Sequence, residues 1–164
     1  MDYTIKNKFK ELFCSLASNI LDELGYENQV FPDFVRSLDE NLRPIGRART
    51  MLYTDIYERP RKNENQYELE IQLVDSLQQG EVAVAACGSS NRIAPWGGLL
   101  STAARVKKVN GAIMDWFVRD VQQIRKMSFP VYAAGIAPLD SRGRGKVIEI
   151  DVPLECAGVR VFSR

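Results

Sequence analysis

The chain has 164 residues, 45% of them hydrophobic, which is enough for one sizeable core and matches the roughly 100–200 residues of a usual domain. Its 22 basic and 21 acidic residues leave a net charge of +1, so no overall field draws it to nucleic acid or to an anionic membrane. It contains no histidine, which excludes a histidine-based zinc site, a Ser-His-Asp triad and a Cys-His pair.

Ile5, Phe9, Leu12, Phe13, Leu16, Ile20, Leu21 and Leu24 recur at helical spacing. Residues 4–24 are therefore predicted to form an amphipathic helix capped by Gly25, with its apolar stripe on a sheet, in the core or at a subunit interface. β-Branched and aromatic residues predict a strand from Arg47 to Glu58, closed by the charged loop from Arg59 to Asn63. Leu69, Ile71, Leu73, Val74 and Leu77 predict a helix that stops at Gly80.

The uninterrupted run Val82–Ala86 has the pattern of a strand buried on both faces. The unit then repeats: a helix from about Gly97 to Lys108, a strand from Gly111 to about Phe117, a helix from Arg119 to Met127 and a strand over Pro130–Ala134. Strands alternating with helices of this length predict βαβ units in a largely parallel sheet. In the tail, Val147–Val152 alternates with period two and predicts a half-exposed strand, placed in a second sheet. The basic loop of Arg142, Arg144 and Lys146 before it reads as a solvated turn.

The three cysteines, Cys14, Cys87 and Cys156, are scattered and form no CxxC pattern, as expected in a reducing compartment. With neither a signal-peptide pattern at the N-terminus nor an apolar run of ~18 residues, a cytoplasmic location is expected. No GxGxG follows the first apolar strand, so a Rossmann-type nucleotide site has no support. Any metal would be a hard, oxygen-seeking ion such as magnesium.

In a parallel sheet, ligands collect where strand ends meet helix N-termini. Ala94-Pro95-Trp96-Gly97-Gly98-Leu99-Leu100 and Arg119-Asp120 both fall at such ends. Gly97 and Gly98 allow close approach to the backbone, and the N–H groups of Leu99 and Leu100 in the first helical turn can face a carboxylate or phosphate. Alternatively, the glycines only let the loop pack tightly on the sheet. Arg119 has two readings, a fork onto a substrate carboxylate or a solvated charge; Asp120 is either a magnesium ligand or a first-turn acid favoured by the helix dipole. Trp96 and Trp116 either line a pocket or pack in the core.

The runs Gly80–Val84, Trp96–Ala104, Arg119-Asp120, Phe129–Gly135 and Val152–Glu155, with Leu21–Gly25 and Leu42–Ala48 upstream, resemble the RraA-like family from about residue 16 to 162. That family includes regulators of ribonuclease activity and class II 4-hydroxy-4-methyl-2-oxoglutarate aldolases, which also decarboxylate oxaloacetate. The resemblance implies a three-layer β/β/α swivelling α/β fold with parallel βαβ units, spanning residues 1–164 as one domain. It also implies a homo-oligomer, a trimer or a hexamer.

The family's aldolase signature is a glycine, twenty residues, Arg-Asp, two residues and an acid; Gly98 and Arg119 stand at that spacing. By that resemblance, Gly97, Gly98, Leu99, Leu100 and Arg119 bind a small 2-oxo acid, and Arg119 and Asp120 are the catalytic pair. Asp120 would anchor Mg2+ or another divalent ion such as Mn2+. The metal would polarise the keto group for retro-aldol cleavage or decarboxylation. The alternative is a non-catalytic regulator that binds ribonuclease E or another protein.

The sequence departs from the aldolase pattern at four places. Gln123 replaces the acid after Arg-Asp, Gly98 replaces the carboxylate many aldolases carry before the Leu-Leu pair, and Trp116-Phe117 replaces Gly-Ala. The family's C-terminal strands, which lend an acid to the neighbouring subunit's site, are expected to be missing after Arg164.

Overall fold

The computed structural model describes residues 8–9, 12–88 and 90–163. Its main sheet has six strands, in chain order β1 (Arg36–Ser37), β2 (Arg47–Asp55), β3 (Glu81–Ala86), β4 (Ala112–Met114), β6 (Val131–Ala133) and β8 (Gly145–Ile150). The spatial order is β1-β6-β4-β3-β2-β8. The four inner strands are parallel, and β1 and β8 close the two edges as antiparallel strands. Two small sheets complete the strands: β5 (Phe117–Val118) beside β7 (Gly135–Ile136), and the hairpin of β9 (Leu154–Cys156) and β10 (Val159–Val161).

Strand β3 shows why the fold has three layers. All six of its residues are buried, and successive side chains of a strand point to opposite faces. Ala83 and Ala85 join a core with Leu73, Val74, Leu77, Ala104 and Ile124 from helices α2 (Glu68–Ser76), α3 (Gly98–Val106) and α4 (Val121–Lys126) and the turn after α2. Val82, Val84 and Ala86 join a second core with Leu154 and Cys156 of β9. Helices thus cover one face of the sheet and the β9–β10 hairpin covers the other, which is a β/β/α arrangement.

Several sequence expectations shift in the structure. The strand expected over 111–117 is broken in two, because the buried Asp115 carboxylate turns back to accept the backbone N–H groups of Cys87 and Gly88 at 2.7 and 3.1 Å. The tail strand is not in a second sheet. It lies as β8 against β2, and the second layer is instead the β9–β10 hairpin.

Helix α1 (Cys14–Glu23) is capped at Gly25 as expected. The N–H of Tyr26 reaches the carbonyl of Leu21, and that of Gly25, at φ +82°, reaches Asp22, a Schellman closure. Lys8 and Phe9 are also helical, and the rest of the helix expected from residue 4 lies outside the described residues. The stripe does not lie in the core: no α1 residue is buried, and Phe13 is 73% exposed. It borders a groove formed with Phe31, Pro44, Ile45, Ile113 and Tyr132.

Candidate functional site

Strand β5 lies beside the segment leading into α3, with Trp96 bridged to Val118 and the N–H of Arg119 donating to the carbonyl of Trp96 at 2.9 Å. That pairing sets Arg119 and Asp120 against Gly97 and Gly98. Asp120 has the left-handed backbone conformation (φ +57°), one that aspartate adopts more readily than most residues. Its Oδ2 accepts the N–H of Gly98 at 3.0 Å, so a carboxylate sits at the positive end of α3.

Space is tight at both glycines. A Cβ on Gly97 would stand 2.8 Å from Asp120 Oδ2 and 2.9 Å from Arg119 Cγ, and one on Gly98 would overlap the side-chain amide of Gln123. The two departures from the aldolase pattern are therefore coupled, with Gln123 filling room that Gly98 leaves.

A cavity of about 430 Å³ opens beside this junction, a size suited to a small ligand. Gly97, Leu99, Leu100 and Arg119 line it together. Gly98 and Asp120 are not part of its lining; Asp120 is exposed and adjoins Gly97. Leu99 is 82% exposed, and its N–H and that of Leu100 belong to the first helical turn, where no acceptor exists within the helix.

The cavity also holds four titratable groups not anticipated from the sequence, Tyr67, Glu70, Asp140 and the exposed Asp75. Arg119 Nη1 lies 3.4 Å from Asp140 Oδ2, and the Tyr67 hydroxyl donates to Asp140 Oδ1 at 2.9 Å. Burial opposes ionisation of Asp140, but the Arg142 N–H, the Tyr67 hydroxyl and the Arg119 guanidinium outweigh it and hold the carboxyl below the usual carboxylate range. Burial and the neighbouring Asp140 push the Tyr67 phenol up to about 12. Burial likewise pushes the Glu70 carboxyl up to about 6, against the opposing pull of the Tyr53 hydroxyl.

Glu70 left a trace in the sequence. It stands at the first position of the buried α2 stripe Glu70, Leu73, Val74, Leu77, whereas Ile71, placed in that stripe by the sequence, is 44% exposed. An acid in register with an apolar face was the signal. Neither tryptophan lines the cavity. Trp96 is fully buried, stacked on Phe129, with its Nε1 donating to Ser101 Oγ at 2.8 Å, and Trp116 packs against Phe117 and the helical-side core.

No group of three or more Cys, Asp or Glu side chains suited to a metal occurs among the described residues. No helix among them is long and apolar enough to cross a membrane.

Comparison with known proteins agrees with this architecture. An uncharacterised protein of Methanocaldococcus jannaschii is 42% identical over 71 residues, 42% of this chain and 32% of that protein. This chain thus spans about a third of that relative's length. A 4-hydroxy-4-methyl-2-oxoglutarate aldolase of Thermus thermophilus is 29% identical over 142 residues, 87% of this chain and 80% of that protein. Among solved structures, Streptomyces coelicolor RraAS2, described as an unusual member of the RNase ES inhibitor RraA protein family, superposes with a TM-score of 0.82. It covers 99% of this chain and 78% of its own at 21% identity, a likeness of fold. The RraA-like profile, Aldolase/RraA, matches residues 16–164, and the chain belongs to that family.

Proposed function

We propose that the chain is a divalent-metal-dependent carbon–carbon lyase. Its substrates are small 2-oxo acids, cleaved by retro-aldol reaction as in 4-hydroxy-4-methyl-2-oxoglutarate, or by decarboxylation as in oxaloacetate. The observation that carries this reading is one cavity lined by both the Arg119 side chain and the first turn of α3. A guanidinium and a helix N-terminus converging on one small space favour a carboxylate with a neighbouring carbonyl oxygen. The aldolase named in Thermus thermophilus is consistent with that chemistry.

Arg119 forks onto the carboxylate and keto oxygen of the substrate, releasing Asp140, its partner at 3.4 Å. The N–H groups of Leu99 and Leu100 hold the carboxylate at the positive end of α3. Asp120 suits a magnesium ion as a single protein ligand: it is exposed, it abuts the cavity wall at Gly97, and only its Oδ2 is engaged, by Gly98. Magnesium commonly takes one or two carboxylates and keeps several waters. When bound, the metal supplies Lewis-acid polarisation of the keto group. The active form is a trimer or hexamer, in keeping with the family.

A second reading, a non-catalytic regulator that binds a protein such as a ribonuclease, is favoured by the exposed stripe of α1, where Phe13, Leu16 and Ile20 face solvent. Pyruvate release from both 2-oxo acids, with and without magnesium, separates the two. Metal-dependent turnover lost in Arg119→Ala and Asp120→Ala establishes the lyase. Background rates from the folded wild type favour the regulator and direct the search to ribonuclease pull-downs.

A further inference from the structure

Glu70 is a carboxylate buried at a position of α2 that otherwise faces the apolar core. Burying an acid there carries a desolvation cost, offset in part by the hydrogen bond it accepts from the buried Tyr53 hydroxyl. Its residue is only 8% exposed, yet it lines the cavity shared by Arg119, Leu99 and Leu100. The Tyr53 hydroxyl donates to Glu70 Oε2 at 2.6 Å, while Oε1 has no hydrogen-bond partner among the described residues. Tyr53 is itself buried on β2, and burial with the Glu70 charge holds its phenol protonated, so it serves only as a donor that fixes the carboxylate.

The charged and titratable groups around Glu70 are few. Tyr53 approaches from β2, Tyr67 from the turn before α2, Arg119 from the end of β5, and Asp140 from the loop between β7 and β8. Among the described residues Arg119 is the one cation lining the cavity, and it is directed at Asp140. Asp140 stays ionised and Tyr67 stays protonated at neutral pH. Glu70 is the buried acid of this lining, and its carboxyl, pushed up to about 6, changes protonation close to neutrality, as a general acid–base group must.

We propose that Glu70 is the proton carrier of the cavity, taking the hydroxyl proton of a 4-hydroxy-2-oxo acid and returning it to C3 of the pyruvyl product. The proposal rests on the lyase reading. In the forward step, the O–H bond at C4 breaks and its proton passes to the Glu70 carboxylate. The oxygen electrons form the new carbonyl, the C3–C4 bond breaks, and its electron pair remains on the pyruvyl fragment. The proton on Glu70 then forms the C3–H bond and the carboxylate is regenerated, with no net oxidation. Tyr53 acts through Glu70 and is a positioning residue. Decarboxylation of oxaloacetate has no hydroxyl proton to remove and calls on Glu70 only for the proton delivered to C3, which solvent can also supply, so it depends on Glu70 less.

The full chain with magnesium is assayed on 4-hydroxy-4-methyl-2-oxoglutarate and on oxaloacetate from pH 5 to 8, as wild type, Glu70→Gln and Tyr53→Phe, with thermal unfolding to show that each variant is folded. Wild-type kcat/KM for the retro-aldol reaction is expected to rise with pH through a midpoint near 6. Glu70→Gln should lose about a hundredfold or more of that activity together with the pH limb, while its oxaloacetate turnover falls less than about tenfold. Tyr53→Phe should move the limb to higher pH, because the hydroxyl it removes favours the ionised carboxylate. Equal losses on both substrates in Glu70→Gln, or an unmoved limb in Tyr53→Phe, overturn the assignment while leaving the lyase intact. A folded wild type inert on both substrates overturns the lyase reading and this proposal with it.

Discussion

The carboxylate of Asp120 accepts the backbone N–H of Gly98 at 3.0 Å, joining the second residue after β5 to the first turn of α3. The bond fixes the relative placement of the two chain segments that line the cavity through Arg119 and Leu99. It also leaves Oδ1 without a partner among the described residues, available to a cation. Structure and proposed chemistry can be separated here by substitution. An asparagine side chain would keep an oxygen for Gly98 and tolerate φ +57°, so Asp120→Asn is expected to unfold within about 0.5 kcal/mol of wild type. Alanine loses the acceptor and is strained in the left-handed region, so Asp120→Ala is expected to cost about 1–2 kcal/mol. Both should lose magnesium-dependent turnover. Urea unfolding beside a magnesium titration of activity checks this, and a fully active Asp120→Asn would remove Asp120 from the metal's ligands.

Gly97→Ala should be more harmful than Gly98→Ala, although the two positions are neighbours. The added Cβ at 97 meets Asp120 Oδ2 at 2.8 Å, an atom held by the Gly98 N–H, and Arg119 Cγ at 2.9 Å, in a side chain paired with Asp140. At 98 it meets the end of the Gln123 side chain, which can rotate away. A cost of about 1–3 kcal/mol is expected at 97, with a raised KM as Arg119 is displaced. At 98 the change is expected to stay within about 1 kcal/mol, since alanine is the better helix former. Thermal unfolding of the two single variants, with KM for oxaloacetate, provides the comparison.

Much of this arrangement was legible in the sequence because strong local patterns agreed with tertiary context. The run Val82–Ala86 had the pattern of a strand covered on both faces, and the strand–helix alternation around it predicted the parallel inner sheet. The β9–β10 hairpin escaped because its turn is Ala157-Gly158, with φ of +48° and +80°; two positive φ values usually advertise themselves as Asn-Gly or Asp-Gly. Helix α1 was legible as a helix but not in its packing, since periodicity reports an apolar face without saying what covers it. At the site, Gly97, Leu99, Leu100 and Arg119 could be placed from strand-end logic. Asp140 and Tyr67 come from distant loops with no shared motif, so only the folded chain reveals them.

Arg49 clamps three strands and gives stability a definite acid dependence. Its guanidinium reaches Asp151 at 2.6 Å after β8 and Glu81 at 3.1 Å on β3. The Arg49 hydrogen bond holds the Asp151 carboxyl below its ordinary range, with burial opposing and Ser163 assisting. A depressed folded-state value means that the native state binds fewer protons than the unfolded chain, so the contribution is present above about pH 4 and is lost as pH falls through the folded value. Arg49→Met should therefore be less stable than wild type at pH 7, and the gap should narrow by pH 3. Guanidinium-free urea titrations at the two pH values read this directly, and a gap that stays constant would detach Asp151 from the effect.

Glu70 carries the opposite sign. Its folded value of about 6 exceeds the ordinary 4.5, chiefly through burial, so between those values the native state holds a proton that the unfolded chain has released. Stability then declines as pH rises from about 4.5 to 6, by up to about 2 kcal/mol for a displacement of this size. The glutamine in Glu70→Gln is neutral throughout and keeps an oxygen for the Tyr53 hydroxyl, so the variant is expected to match wild type near pH 4 and exceed it in stability at pH 7. A carboxylate whose ionised form weakens the fold while it lines the cavity is what a trade of stability for function predicts. Chemical unfolding of both proteins at pH 4 and pH 7 decides the matter: if Glu70→Gln is no more stable at pH 7 than wild type, the buried charge costs the fold nothing and the raised value has another origin.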